Sequence, residues 1–136
     1  AIAAAIRKLK GVKQRKTVVV FTDGDDSRSR FSVEQVIGMA RGSEVSIYAV
    51  AEVGAGPQQL RTFLDRLADE TGGRFYPIGS VSTLAESFAA IVQELRSQYF
   101  LTYTPTDRRP RSWHTIAVKV NRPGVVVRAK KQYRLP

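Results

Sequence analysis

The sequence predicts an α/β fold in which a mainly parallel sheet alternates with helices and is followed by a three-stranded antiparallel extension. Three observations carry this. Thr17-Val18-Val19-Val20-Phe21 and residues 45–51 are apolar runs rich in β-branched residues, the pattern of strands covered on both faces. Segments with apolar residues every three to four positions flank them, as amphipathic helices require. From Gln98 the chain alternates with period two, the pattern of strands with one wet face.

Each element follows in order. Ile2, Ile6 and Leu9, with Ala3 and Ala5 beside them, make a helical stripe across residues 1–10, ended by Gly11. The run at 17–21 is the first strand. Ser32 with Gln35 three residues on forms a capping box, so a second helix begins there, with Val33, Val36, Ile37 and Ala40 inward. Residues 45–51 are the second strand. Leu60, Phe63, Leu64 and Leu67 mark a third helix, and Thr71-Gly72-Gly73 ends it, because glycine takes the left-handed cap conformation freely. Residues 74–78 form a short strand. Thr83 and Glu86 read as a second capping box for a helix carrying Leu84, Phe88, Ile91, Val92 and Leu95. The extension then places Tyr99, Leu101 and Tyr103 on one face, Ile116, Val118 and Val120 on another, and Val125, Val127 and Ala129 on a third, with a turn at Asn121-Arg122-Pro123-Gly124. Residues 1–98 and 99–136 are therefore expected as two parts.

Composition narrows the function classes. A chain of 136 residues with 43% hydrophobic content can build a core. Without cysteine there is no disulfide framework and no thiolate chemistry. No apolar run reaches membrane-spanning length. The first residue is Ala1 and helix begins at once, so the chain is expected to be part of a longer protein. The net charge of +10 favours an anionic contact, but no aromatic-rich motif accompanies the basic residues, so no specific nucleic acid is expected.

In sheets of this kind ligands bind beyond the carboxyl ends of strands. Asp23 follows the first strand directly, with Asp25, Asp26, Ser27 and Ser29 behind it, which gathers oxygen ligands of the kind hard cations need. A polar turn with helix-capping carboxylates is the alternative. An EF-hand is excluded, because Arg28 stands where that loop needs glycine and a strand precedes it. Asp23-Gly24-Asp25 also looks like the nucleophile and acid pair of haloacid-dehalogenase phosphatases. The lysine and second acidic pair of that chemistry have no counterpart at the later strand ends, which offer only Glu52.

Arg15 to Gly24, including Thr22-Asp23-Gly24, resembles the fourth strand of a von Willebrand factor A domain. Val45-Ser46-Ile47-Tyr48-Ala49-Val50 resembles the fifth, and Thr71-Gly72-Gly73-Arg74-Phe75-Tyr76 the approach to the sixth. Glu94-Leu95-Arg96-Ser97-Gln98-Tyr99, Tyr103-Thr104-Pro105, Val118-Lys119-Val120, Arg122-Pro123-Gly124 and Val127-Arg128-Ala129-Lys130 look like the tail of the bacterial VWFA-related group. The resemblance implies half of a doubly wound sheet plus a β extension, and a non-catalytic protein-interaction or adhesion module that engages a ligand carboxylate through Mg2+ or Mn2+. It alone suggests an extracytoplasmic location. The family's metal-ion-dependent adhesion site combines Asp-x-Ser-x-Ser, a threonine and the aspartate of Thr-Asp-Gly. Asp23 matches the third element, Asp25 is a further candidate ligand, and the first two elements are expected upstream of Ala1. No metal is therefore expected on this chain alone. A phosphatase using Asp23 and Asp25, or a metal-free structural module, are the alternatives. The family's first strand lies beside the fourth, so 17–21 is expected to be an uncovered edge open to homo-oligomer pairing.

His114 has no nucleophile motif around it, and no catalytic role is expected of it. Tyr99, Phe100, Tyr103, Trp113 and Tyr133 are expected to pack the extension. Arg108, Arg109 and Arg111 are expected in a solvated loop, with an anionic partner as the alternative.

Overall fold

The computed structural model describes residues 1–23, 30–52, 57–106, 109 and 111–135. Helix α1 (Ile2–Lys8) leads into β1 (Lys16–Thr22), α2 (Val33–Gly42), β2 (Val45–Glu52), α3 (Gln58–Glu70), β3 (Phe75–Ile78) and α4 (Val81–Arg96). The strands form a parallel sheet in the order β1-β2-β3. Val18 pairs with Ile47 and Phe21 with Val50, while Ala49 pairs with Phe75 and Glu52 with Ile78.

The central strand β2 is buried on both faces, as its apolar run, interrupted only by Ser46, requires. On one face Val45 and Ile47 join Ile6, Val36, Ile37, Ala40 and Leu67, and Ala49 and Ala51 join Leu64. On the other, Tyr48 and Val50 pack with Ile78 and with Ile91 of α4. Helices α1 to α3 thus cover one side and α4 the other. Removing each large side chain from water contributes roughly 1.5–3 kcal/mol, and this layer holds the sheet together.

Strand β1 departs from the reading of a strand covered on both faces. It is an edge strand, and while Val18 and Val20 pack against the helices, Val19 and Phe21 are 39% and 53% exposed on the α4 side. Helix α4 lies over β2 and β3 and reaches β1 through Phe88, whose ring stacks on Phe21 at 6.4 Å. Phe88 and Val92 consequently stay exposed as well.

The helix ends follow local chemistry. Ser32 caps α2 in a full capping box with Gln35, although Val33 in the first turn is exposed. Helix α4 starts one turn before the Thr83–Glu86 box. Ser80 is its cap and accepts from the Thr83 amide at 3.3 Å. Thr71 is buried after α3, where its Oγ1 bonds the Leu67 and Ala68 carbonyls and accepts from the Ile47 amide, each at 3.0 Å. Gly72 follows at φ +76°, and a Cβ there would stand 2.8 Å from the backbone of Ala129 and Lys130.

The extension has two short strands among the described residues, β4 (Trp113–Thr115) and β5 (Gln132–Arg134), paired antiparallel. The alternating stretches read as three strands carry no ladder. Tyr99, Phe100 and Leu101 are 93%, 76% and 70% exposed, and Val120, Val125 and Val126 are exposed too. Alternation stabilises a strand only where another layer covers its apolar face, and among the described residues Ile116, Val118 and Ala129 are only half-buried while the rest of these faces stay exposed. The ladder forms where rings meet across it, with His114 stacked on Tyr133 at 5.0 Å and Tyr103 edge-on to Tyr133 at 6.0 Å.

The extension returns to the body at the amino ends of the strands. Lys130 bridges Thr71 and donates to the Ser43 carbonyl, and Lys131 pairs with Asp69. Arg128 joins Glu94, which also accepts from the buried Tyr48 hydroxyl at 3.0 Å.

Candidate functional site

The carboxyl ends of β1, β2 and β3 open into one crevice of about 250 Å³. Strand β1 delivers Thr22 and Asp23, β2 delivers Glu52, and β3 leads through Ile78 and Gly79 to Ser80. Because the strands are parallel and in register, their polar ends meet at one edge of the sheet. Phe21, Val81 and Leu84 supply an apolar wall, and Val81 is 83% exposed at its rim. The amino end of α4 also faces the crevice, and its partial positive charge opposes the two carboxylates.

Asp23 therefore stands where the sequence places it, at a strand end in a crevice. Asp25 and Asp26 lie outside the described residues. Glu52 joins Asp23, although the sequence marks it only as an isolated carboxylate at a strand end. Ser80 is the residue sequence reasoning missed, and a serine just ahead of the apolar helix pattern, placed to cap the Thr83 amide, is the available signal. One further signal is the order Asp25-x-Ser27-x-Ser29, which has the spacing of the adhesion site's first element but follows Thr22-Asp23-Gly24 instead of preceding it. These three residues too lie outside the described part.

The described residues do not make up a divalent-cation site. Magnesium needs six oxygen ligands in near-octahedral array and gives up its water reluctantly. The crevice offers two described carboxylates, and the Ser80 hydroxyl is already engaged with Ser82 at 2.8 Å and Thr83 at 2.6 Å. Among the described residues no group of three or more histidine, cysteine, aspartate or glutamate side chains is placed to hold a metal.

The other residues considered lie elsewhere. His114 packs on Tyr133 and its Nε2 sits 3.0 Å from the Ser112 hydroxyl. Arg108 lies outside the described residues, and Arg111 is exposed beside β4. The extension docks at the amino ends of the strands, roughly 25 Å from the crevice for strands of this length.

A parallel sheet covered by helices on both faces, with a crevice at its strand ends, defines an α/β domain of the doubly wound class. The chain belongs to the von Willebrand factor type A domain family, whose model matches residues 1–90 of the 136. At family level this makes it a protein-interaction module. A solved structure described as an uncharacterized membrane spanning protein from Vibrio fischeri aligns with a TM-score of 0.52 at 18% identity. The alignment covers 59% of this chain and 47% of that one, so it spans about half that protein's length, and it supports the fold alone. No curated protein matches the chain. Among the described residues no helix is long and apolar enough to cross a membrane.

Proposed function

We propose that the chain is a non-catalytic protein-interaction module, of adhesion type, that docks a protein ligand in the crevice at the carboxyl ends of β1, β2 and β3. The convergence of Asp23 and Glu52 with the exposed apolar rim at Val81 supports this reading. Carboxylates beside an apolar wall suit a segment that offers donors and one apolar side chain, and buried apolar anchors carry most of the energy in such contacts. Mg2+ or Mn2+ belongs to the complete family site, which the described residues of this chain do not complete. The free edge of β1, with Val19 and Phe21 exposed beside it, is proposed to pair with a second copy wherever no other segment covers it.

The test is selection of a displayed random-peptide library on the full chain. Enriched peptides should lose binding in Asp23→Asn and in Val81→Asp and keep it in Lys119→Gln, a change in the extension. Peptides that bind both crevice variants as tightly as the parent chain would contradict the proposal.

A further inference from the structure

A second surface lies between α2 and the β4/β5 hairpin, where Gly38, Gly42, Arg111, Trp113, Arg134 and Leu135 line an open groove of about 460 Å³. Its floor is bare helix. A Cβ added at Gly38 would meet nothing within 4 Å, and one at Gly42 would meet only the Trp113 ring at 3.9 Å. The two glycines, one helical turn apart, therefore leave space instead of allowing a close backbone contact. Trp113 stands at one side, 44% exposed, and Arg134 is its cross-strand partner. Arg111 is the one non-glycine residue with positive φ among those described, at 60°. Its amide donates to the Leu135 carbonyl at 3.3 Å, which fixes that conformation beside the groove. A backbone held in a sparsely populated region points to a constrained role.

Neither guanidinium has a carboxylate or other side-chain partner among the described residues. On the helical body the situation differs. Arg41 holds Glu70 through two bonds of 2.6 and 3.1 Å, and Arg66 holds Glu34 in the same way. Two planar forks around an indole, without a side-chain partner among the described residues, match carboxylates, which arginine binds bidentately. The net charge of +10 adds attraction for an acidic partner. The bare floor admits an extended backbone. A nucleic acid would call for several stacking rings and a run of phosphate contacts, and the groove has one ring.

We propose that this groove docks an acidic peptide segment of a protein partner, its carboxylates on Arg111 and Arg134 and its apolar atoms on Trp113. The groove lies at the amino-end side of the sheet, with Gly42 just before β2, so it is separate from the crevice at Asp23.

Trp113 is the sole tryptophan, so its emission reports the groove directly. The full chain is titrated with end-capped hexaglutamate, which does not fluoresce. A saturable change in emission is expected. Arg111→Asn combined with Arg134→Gln should weaken binding about tenfold or more, because two charge-assisted contacts are lost. Asparagine tolerates the left-handed backbone at that position. Gly38→Leu, which keeps both arginines and fills the floor, should weaken binding comparably. Lys119→Gln with Arg122→Gln removes the same charge from the exposed extension and should change affinity by less than about twofold, as expected of screened surface charge. Asp23→Asn should have no effect, which separates this proposal from the crevice reading. Absence of a saturable response, or equal weakening by the charge-matched pair, would overturn it. So would tighter binding of tripolyphosphate or an oligonucleotide through the same two arginines.

Discussion

Thr71 Oγ1 accepts a hydrogen bond from the Ile47 amide at 3.0 Å, so a side chain from the end of α3 extends the ladder along β2 below its first main-chain bond with β3. The same oxygen holds the Leu67 and Ala68 carbonyls, and the Thr71 backbone bridges Lys130. One buried residue thereby joins helix and sheet through its hydroxyl and the extension through its backbone. Thr71→Val keeps the shape and strands the Ile47 N–H, which should cost about 1–3 kcal/mol. The urea midpoint should fall in Thr71→Val and largely recover in Thr71→Ser.

The Tyr48 hydroxyl is fully buried, and burial with its bond to Glu94 pushes its pKa up to about 12. A raised tyrosine pKa stabilises the fold below the unfolded value near 10, and this contribution is lost as pH rises from 10 through 12. A shift of that size corresponds to roughly 2–3 kcal/mol. Between pH 9 and pH 11, unfolding free energy should drop more for the parent chain than for Tyr48→Phe. Parallel curves would show that Tyr48 ionises freely.

The β1 edge, beside which no further strand pairs among the described residues, should make the chain self-associate in isolation. Light scattering should show dimers or larger species that shift towards monomer in Val19→Lys with Phe21→Lys. A stable monomer at high concentration, together with slow amide exchange along residues 18–21, would rule this out.

Asp23 and Glu52 alone should hold magnesium weakly. Calorimetry is expected to show no micromolar magnesium affinity, because magnesium dehydrates reluctantly and demands a near-octahedral ligand set. No turnover of a generic phosphomonoester is expected either. Micromolar magnesium binding lost in Asp23→Ala would contradict the first point, and turnover lost in both Asp23→Asn and Asp25→Asn the second.

Much of this architecture is legible from local rules. Residues 45–51 read as a buried strand because every residue in the run except Ser46 is apolar or aromatic, and Ser32 with Gln35 reads as a helix start because the capping bond spans three residues. Asp23 is legible as a strand-end residue that lines a crevice, because its strand ends there in the sequence. Other features depend on distant partners. Nothing near Phe21 states that the Phe88 ring of α4 would stack on it. The period-two pattern after Gln98 specifies faces but no covering layer, so the ladder appears only where His114 and Tyr103 meet Tyr133. Glu52 enters the site through the parallel register, which places it level with Ile78. The Trp113 groove depends on where the extension docks, and sequence spacing carries no information on that.

Amide chemical-shift mapping with a peptide selected on the full chain tests the docking crevice most directly. Perturbations are expected at Phe21, Thr22, Asp23, Glu52, Ile78, Gly79, Ser80, Val81 and Leu84, the residues that line the crevice. Perturbations confined to Arg111, Trp113 and Arg134, or scattered over the surface without a cluster at the strand ends, would contradict it.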